Sequence, residues 1–286
     1  MIRFSLALAL IAVAAAPQDG GSPPPKVEAK APAAGDRTDV KIESTIELEI
    51  EASSNQEGEP KQTRQLSYAR TLECSQVVQS VADGGVPTWR VTVGSAKVQR
   101  SGTNIAPVTE TSEIENKSYI ITRGEKGRVV KAENGDPTPA DASGLGAWED
   151  FGKLLPAGEA KEGATWQVDA ATITALISIP DVAAPTGTFD AKVESSVEGK
   201  LTVFFSGELK GKTAKGFETS LKVAEGRLDY DSAKNRPVSL AITGSLTAEK
   251  PLTQKVSKAK ELRQVDEAVG TVKVKTSKLE VKAEFK

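Results

Sequence analysis

Between residues 189 and 209 apolar and polar side chains alternate with a period of two. Phe189, Ala191, Val193, Val197, Leu201, Val203, Phe205 and Leu209 fall on odd positions, and Asp190, Lys192, Glu194, Glu198, Lys200, Thr202 and Glu208 fall on even ones. That period puts alternate side chains on opposite faces of a strand, so one face of the sheet is dry and the other wet. Sheets of this one-sided kind are antiparallel. The fold class is therefore expected to be mainly β.

The same pattern recurs along most of the chain. Val40, Ile42, Ile46, Leu48 and Ile50 alternate with Lys41, Glu43, Glu47, Glu49 and Glu51. Residues 55–60 read as a turn, and Leu66, Tyr68, Arg70 and Leu72 form the returning strand of a hairpin. Trp89, Val91 and Val93 open a third strand running to about Val98, and Tyr119 and Ile121 pair across residues 123–127 with Val129 and Val130. Further on, Phe217, Thr219, Leu221 and Val223 hold odd positions, whereas Leu228 and Tyr230 hold even ones. The slip at Ala224-Glu225-Gly226 predicts a β-bulge. Val238, Leu240, Ile242, Gly244 and Leu246 continue the sheet. Val272, Val274, Leu279, Val281 and Phe285 close it, with a second slip near Thr276-Ser277.

Three segments break the period. Leu145, Trp148, Gly152 and Leu155 recur every three to four residues, so Ser143–Leu155 reads as a helix ended by Pro156. Asp169 can cap a second short helix to about Ile177. Val256, Ala259, Leu262 and Val265 allow a third.

Burying a large apolar side chain contributes about 1.5–3 kcal/mol, while ordering each residue's backbone costs about 1–2 kcal/mol, so no hairpin here stands alone. Some ten one-sided strands share only two or three short helices as cover. The expected architecture is a large curved antiparallel sheet, a half-barrel, with those helices packed on its concave face. Such an interior is either filled or leaves an apolar cavity for a ligand.

Arg3, the apolar run Phe4–Val13 and the small residues at 12–16 read as a signal peptide over residues 1–16, too short an apolar run to span a bilayer. Residues 17–38 are rich in Pro, Ala and Gly and read as a disordered linker. Residues 39–286 then form one β-rich domain, expected to be exported to the periplasm or beyond and soluble after cleavage.

Composition narrows the chemistry. The chain has no His, which removes the usual general base of serine and cysteine triads and the commonest zinc ligand. Its one Cys, Cys74, shares parity with Leu66, Tyr68 and Leu72 and is expected to be a buried small hydrophobe. The formal charge is −2, with both signs interspersed, so no basic stripe for nucleic acid is present. Ser257-Lys258-Ala259-Lys260 has the Ser-x-x-Lys spacing of penicillin-recognising enzymes but lacks their companion motifs. Asp229 and Asp231 stand near a turn that lacks the oxygen ligands of a calcium loop, and Asp231 is expected to accept backbone N–H groups there. No enzyme, cofactor or metal site is expected.

Leu155, Pro156, Gly163, Trp166, Gly226, Tyr230 and Asp231 make a Leu-Pro…Gly-x-x-Trp element followed by a Gly-x-x-x-Tyr-Asp turn. With the signal peptide and the hairpins, this layout resembles a class of exported bacterial β-rich proteins of unknown function. In architecture alone, a curved sheet holding a few helices is similar to the periplasmic lipoprotein carriers, which implies lipid binding. None of the carriers' binding residues is matched here. Trp89, Trp148 and Trp166 are the candidate pocket-lining residues, although the size of each suits it better to anchoring a core. The expected function is non-enzymatic: binding of a lipid or other apolar ligand in a cavity of the curved sheet. The alternative is a structural or interaction protein of the cell envelope with a filled interior.

Overall fold

The computed structural model describes residues 33–56, 59–82, 87–124, 127–139, 142, 145, 154–156, 160–170, 172–173, 182–213, 215–234, 236–258 and 263–286. Twelve strands make one antiparallel sheet that is not closed: β1 (Arg37–Ser54), β2 (Gln62–Val81), β3 (Pro87–Gly102), β4 (Ile105–Thr111), β5 (Ser118–Gly124), β6 (Gly127–Ala132), β7 (Thr165–Asp169), β8 (Val182–Val197), β9 (Lys200–Thr213), β10 (Glu218–Asp231), β11 (Arg236–Lys258) and β12 (Arg263–Phe285). Their spatial order is β6-β5-β3-β2-β1-β12-β11-β10-β9-β8-β7, with β4 paired to β3 off this path. Two meanders, β1 to β6 and β7 to β12, are thus joined side by side where β1 meets β12. The expected signal peptide and the linker up to residue 32 lie outside the described residues, and Arg37 and Thr38, expected as the linker's end, already belong to β1.

The alternation read from the sequence defines an inner face. Phe189, Val193, Val203, Phe205, Leu209, Leu221 and Leu228 are wholly buried, as are Val91, Val93, Tyr119 and Ile121 in the other meander. A lone sheet leaves its apolar side on water, so complete burial requires cover. Part of it comes from Ile114, after β4, and from Ala142, Leu145, Leu154, Ala160, Ala170 and Ile173, all buried in the same cluster. Ala142, Leu145, Leu154 and Ala160 connect edge strand β6 to the other edge strand, β7, and Ala170 and Ile173 follow β7.

The expected helices fare unequally. Most of Ser143–Leu155, with Trp148, lies outside the described residues. Ala170, Thr172 and Ile173 carry the backbone of a helical turn, and the rest of the second helix also lies outside. The third helix is corrected. β11 runs to Lys258 and β12 starts at Arg263, with Val256 opposite Val265 and Gln254 opposite Glu267. Ala259 and Leu262 lie outside the described residues. A spacing of three or four residues suits a helix, but Val256 and Val265 stand on paired strands, where the partner strand supplies the ladder hydrogen bonds.

Both parity slips are bulges. β10 carries one extra residue at Ala224, between the pairs Val223–Gly244 and Glu225–Thr243. β12 carries an extra Ser277, between Lys278 opposite Glu47 and Thr276 opposite Leu48. The backbone N–H of Leu246, beside this irregularity, donates to the Thr276 hydroxyl at 2.6 Å. Register places Phe189, Gly207, Val223, Gly244, Leu279, Ile46 and Tyr68 in one row across seven strands next to the two bulges. Glycine alternates with large side chains at its start. At Gly226, one row away, the missing side chain leaves room for the ring of Phe205.

Candidate functional site

The long strands outrun the short ones. β1, β2, β11 and β12 have 18, 20, 23 and 23 residues, against 14 each for β9 and β10. Past the row through Leu279 and Ile46, the inner face continues on the long strands as Leu48, Ile50, Leu66, Val272 and Val274. These side chains are half-buried rather than sealed. Ile46 is the step between the two regimes: it packs against the core cluster while remaining half-buried. The inner face is thus sealed at one end and partly open at the other.

Among the sequence-predicted residues, Trp89 is 5% exposed and sits between its register partners Val78 and Ile121. It is a core anchor. Trp148 lies outside the described residues. Trp166 is half-buried on edge strand β7, opposite Ala191 and against the common core. Its indole Nε1 is buried and has no hydrogen-bond partner among the described residues. Trp89 and Trp166 share one face but stand on opposite wings of the sheet, so the structure does not assemble the three tryptophans into a described pocket.

A half-buried cation stands among the apolar residues. Arg70 lies on the inner face of β2, opposite Ser44 and Val98, with Tyr68 and Leu72 two residues away on either side. It is half-buried, and no described carboxylate pairs with it. Beside it, Arg100 is already engaged by Glu110. Val98, Arg100, Glu110, Glu113 and Pro139 help line a cleft of about 500 Å³ there, whose two carboxylates make it acidic. The signal for Arg70 was present in the sequence as a cation at an apolar register position.

The outer face is of another kind. A groove of about 590 Å³ is lined there by Glu49, Glu51, Glu249, Lys273 and Lys275 among others. Its charges neutralise one another, Lys273 standing 3.6 Å from Glu249 and Lys61 2.9 Å from Glu51. Such a lattice does not suit an apolar ligand. Three strands are tied together on this face by Asp229, which accepts hydrogen bonds from Ser239 at 2.8 Å and Thr202 at 2.9 Å. Burial raises its pKa, but these two hydroxyls and Arg227 outweigh that, and the carboxyl is held below its ordinary value.

Cys74 is a buried free thiol whose pKa is pushed up to about 12 by burial and by the nearby Asp39 carboxylate. It is not a nucleophile at neutral pH. Asp231 accepts the backbone N–H of Lys234 at 2.9 Å, the turn role expected of it. Ser257 pairs with Gln264 near the tip of the β11–β12 hairpin, and Lys260 lies outside the described residues. Compared with known protein families and with curated proteins, the sequence matches none.

Proposed function

We propose that this chain is an exported, non-enzymatic binding protein whose sheet bends into a half-barrel and holds the apolar part of a ligand, a lipid or a molecule of similar polarity. The observation that carries this reading is the change along the inner face, from sealed side chains such as Val203 and Phe205 to half-buried ones at Leu48, Ile50, Val272 and Val274. An apolar surface left partly open beside a packed core is where a greasy ligand gains most from leaving water. Bending is supported by the bulges at Ala224 and Ser277, since a bulge bends its strand and increases its twist. Short helices on the concave face are supported by the burial of Leu145, Leu154 and Ile173. Export is supported by Arg3 and the apolar run Phe4–Val13.

Fluorescence of the neutral dye N-phenyl-1-naphthylamine, together with native mass spectrometry of protein from its own host, tests the reading. Dye binding that Ile50→Asp abolishes, with little change in the urea midpoint, is the expected result. No dye binding by the natural protein and no copurifying lipid would overturn it. That outcome would favour the second reading, an envelope structural protein with a filled interior, to which the complete burial of Phe189, Phe205, Leu221 and Leu228 already lends weight.

A further inference from the structure

The charges of the outer face come with partners: Arg90 with Glu133 at 2.8 Å, Lys212 with Glu218 at 2.9 Å, Lys41 with Glu43 at 2.8 Å. Arg70 differs on three counts. It occupies the inner face, it is half-buried, and its register neighbours Ser44 and Val98 bring no negative charge. Half-burying an arginine side chain costs its head group hydration where no partner returns it, and none of the described residues pairs with Arg70. The acid beyond Val98, Glu110, is taken up by Arg100. One row along the same face, Ile46 and Tyr68 begin the half-buried apolar patch that continues to Leu48 and Leu66. A cation is therefore set at the head of a greasy track.

We propose that Arg70 is the anion-pairing residue of the inner face, and that the ligand class is an amphiphile with an apolar chain and an oxyanion head group, carboxylate or phosphate. The guanidinium fork matches either oxyanion with two parallel hydrogen bonds. The chain then lies along Ile46, Leu48 and Ile50. Ser44, directly opposite Arg70, places a hydroxyl within the same polar spot. Arg64, exposed opposite Ile50, adds positive potential further along the track. This inference rests on the proposed apolar-ligand function and specifies its polar end.

The test measures displacement of bound N-phenyl-1-naphthylamine by dodecanoate, dodecyl phosphate and dodecanol at mildly alkaline pH, below their micelle concentrations. The natural protein is expected to prefer at least one anion over dodecanol by about tenfold, the size of one well-formed charge-assisted contact. The tighter anion identifies carboxylate or phosphate as the source of the head group. Arg70→Met should erase that preference while leaving dodecanol displacement unchanged, and Arg70→Lys should keep part of it. Circular dichroism and the urea midpoint verify that both variants fold. If dodecanol competes as well as both anions, or if the preference survives in Arg70→Met, the assignment is overturned while the apolar-ligand reading stands, and Arg70 merely snorkels its head group to water. If none of the three displaces the dye, or the dye does not bind, both fall together.

Discussion

Gly226 and Phe205 provide a quantitative test of the inner-face packing. They are register partners on β10 and β9, and Phe205 is wholly buried. A methyl group added to Gly226 would lie 2.6 Å from Cδ2 of the Phe205 ring and closer still to Cε2 and Cζ. Carbon atoms pack at about 3.5–4.0 Å, so the ring or the strand must move by an ångström or so. In an unobstructed strand, Gly→Ala would stabilise by about 0.4–1 kcal/mol through the unfolded chain. Gly226→Ala is instead expected to destabilise by about 1–3 kcal/mol, the usual cost of overpacking. Phe205→Leu alone should also destabilise, by shrinking a sealed side chain. In the double variant the smaller side chain makes room for the methyl group. The two effects should therefore fall short of additivity by about 1 kcal/mol or more. Urea unfolding of the four proteins, with m-values compared, measures the coupling. Additivity within error, or a stabilising Gly226→Ala, would refute the assignment of this pair to one crowded inner surface.

Three further expectations follow from single contacts. Thr276→Val removes the hydroxyl that accepts the Leu246 N–H while keeping the shape, and should cost about 1–3 kcal/mol in urea unfolding; a neutral result would mean that this amide finds another acceptor. Cys74 should resist an aromatic disulfide reagent at neutral pH in the folded protein and react at once in denaturant, because burial raises its pKa to about 12. Asp229, whose folded pKa is depressed, contributes stability that is present above its unfolded pKa of about 4 and is lost as pH falls through the lower folded value. Asp229→Asn should therefore be less stable than the natural protein near neutrality, with the gap closing in acid, as thermal melts over a pH series will show; a constant gap would contradict the cause assigned.

How much of this could be read in advance depended on whether one face of a segment was dry. Phe189–Val193, Leu201–Leu209 and Val40–Ile46 declare themselves because most of their alternate residues meet the core, whereas Val197, read on the same register, is 61% exposed past a register shift between Val193 and Ser195. The bulges at Ala224 and Ser277 declared themselves as lost parity within such patterns. β4 gave no signal, since all seven of its residues are exposed and it pairs with β3 alone. The spacing of Val256, Ala259, Leu262 and Val265 misled because spacing alone does not reveal strand pairing, and Val256 is in register with Val265. Trp89 was legible as core. That the indole N–H of Trp166 has no partner among the described residues was not, because hydrogen-bond satisfaction is a property of the assembled fold. Arg70 was visible in the register of Leu66, Tyr68 and Leu72, but its meaning depends on which neighbours β1 and β3 bring beside it.

Single cysteines placed in a Cys74→Ala background probe the two-regime inner face most directly. Val203→Cys lies in the sealed part, Ile50→Cys in the half-buried track, and Glu49→Cys on the exposed outer face. Labelling by a small maleimide should be fast at position 49, intermediate at 50 and blocked at 203, with position 50 alone slowing when a long-chain amphiphile is added. Labelling at 203 as fast as at 49, or no difference between 50 and 49, would contradict the one-sided sheet on which the whole account stands.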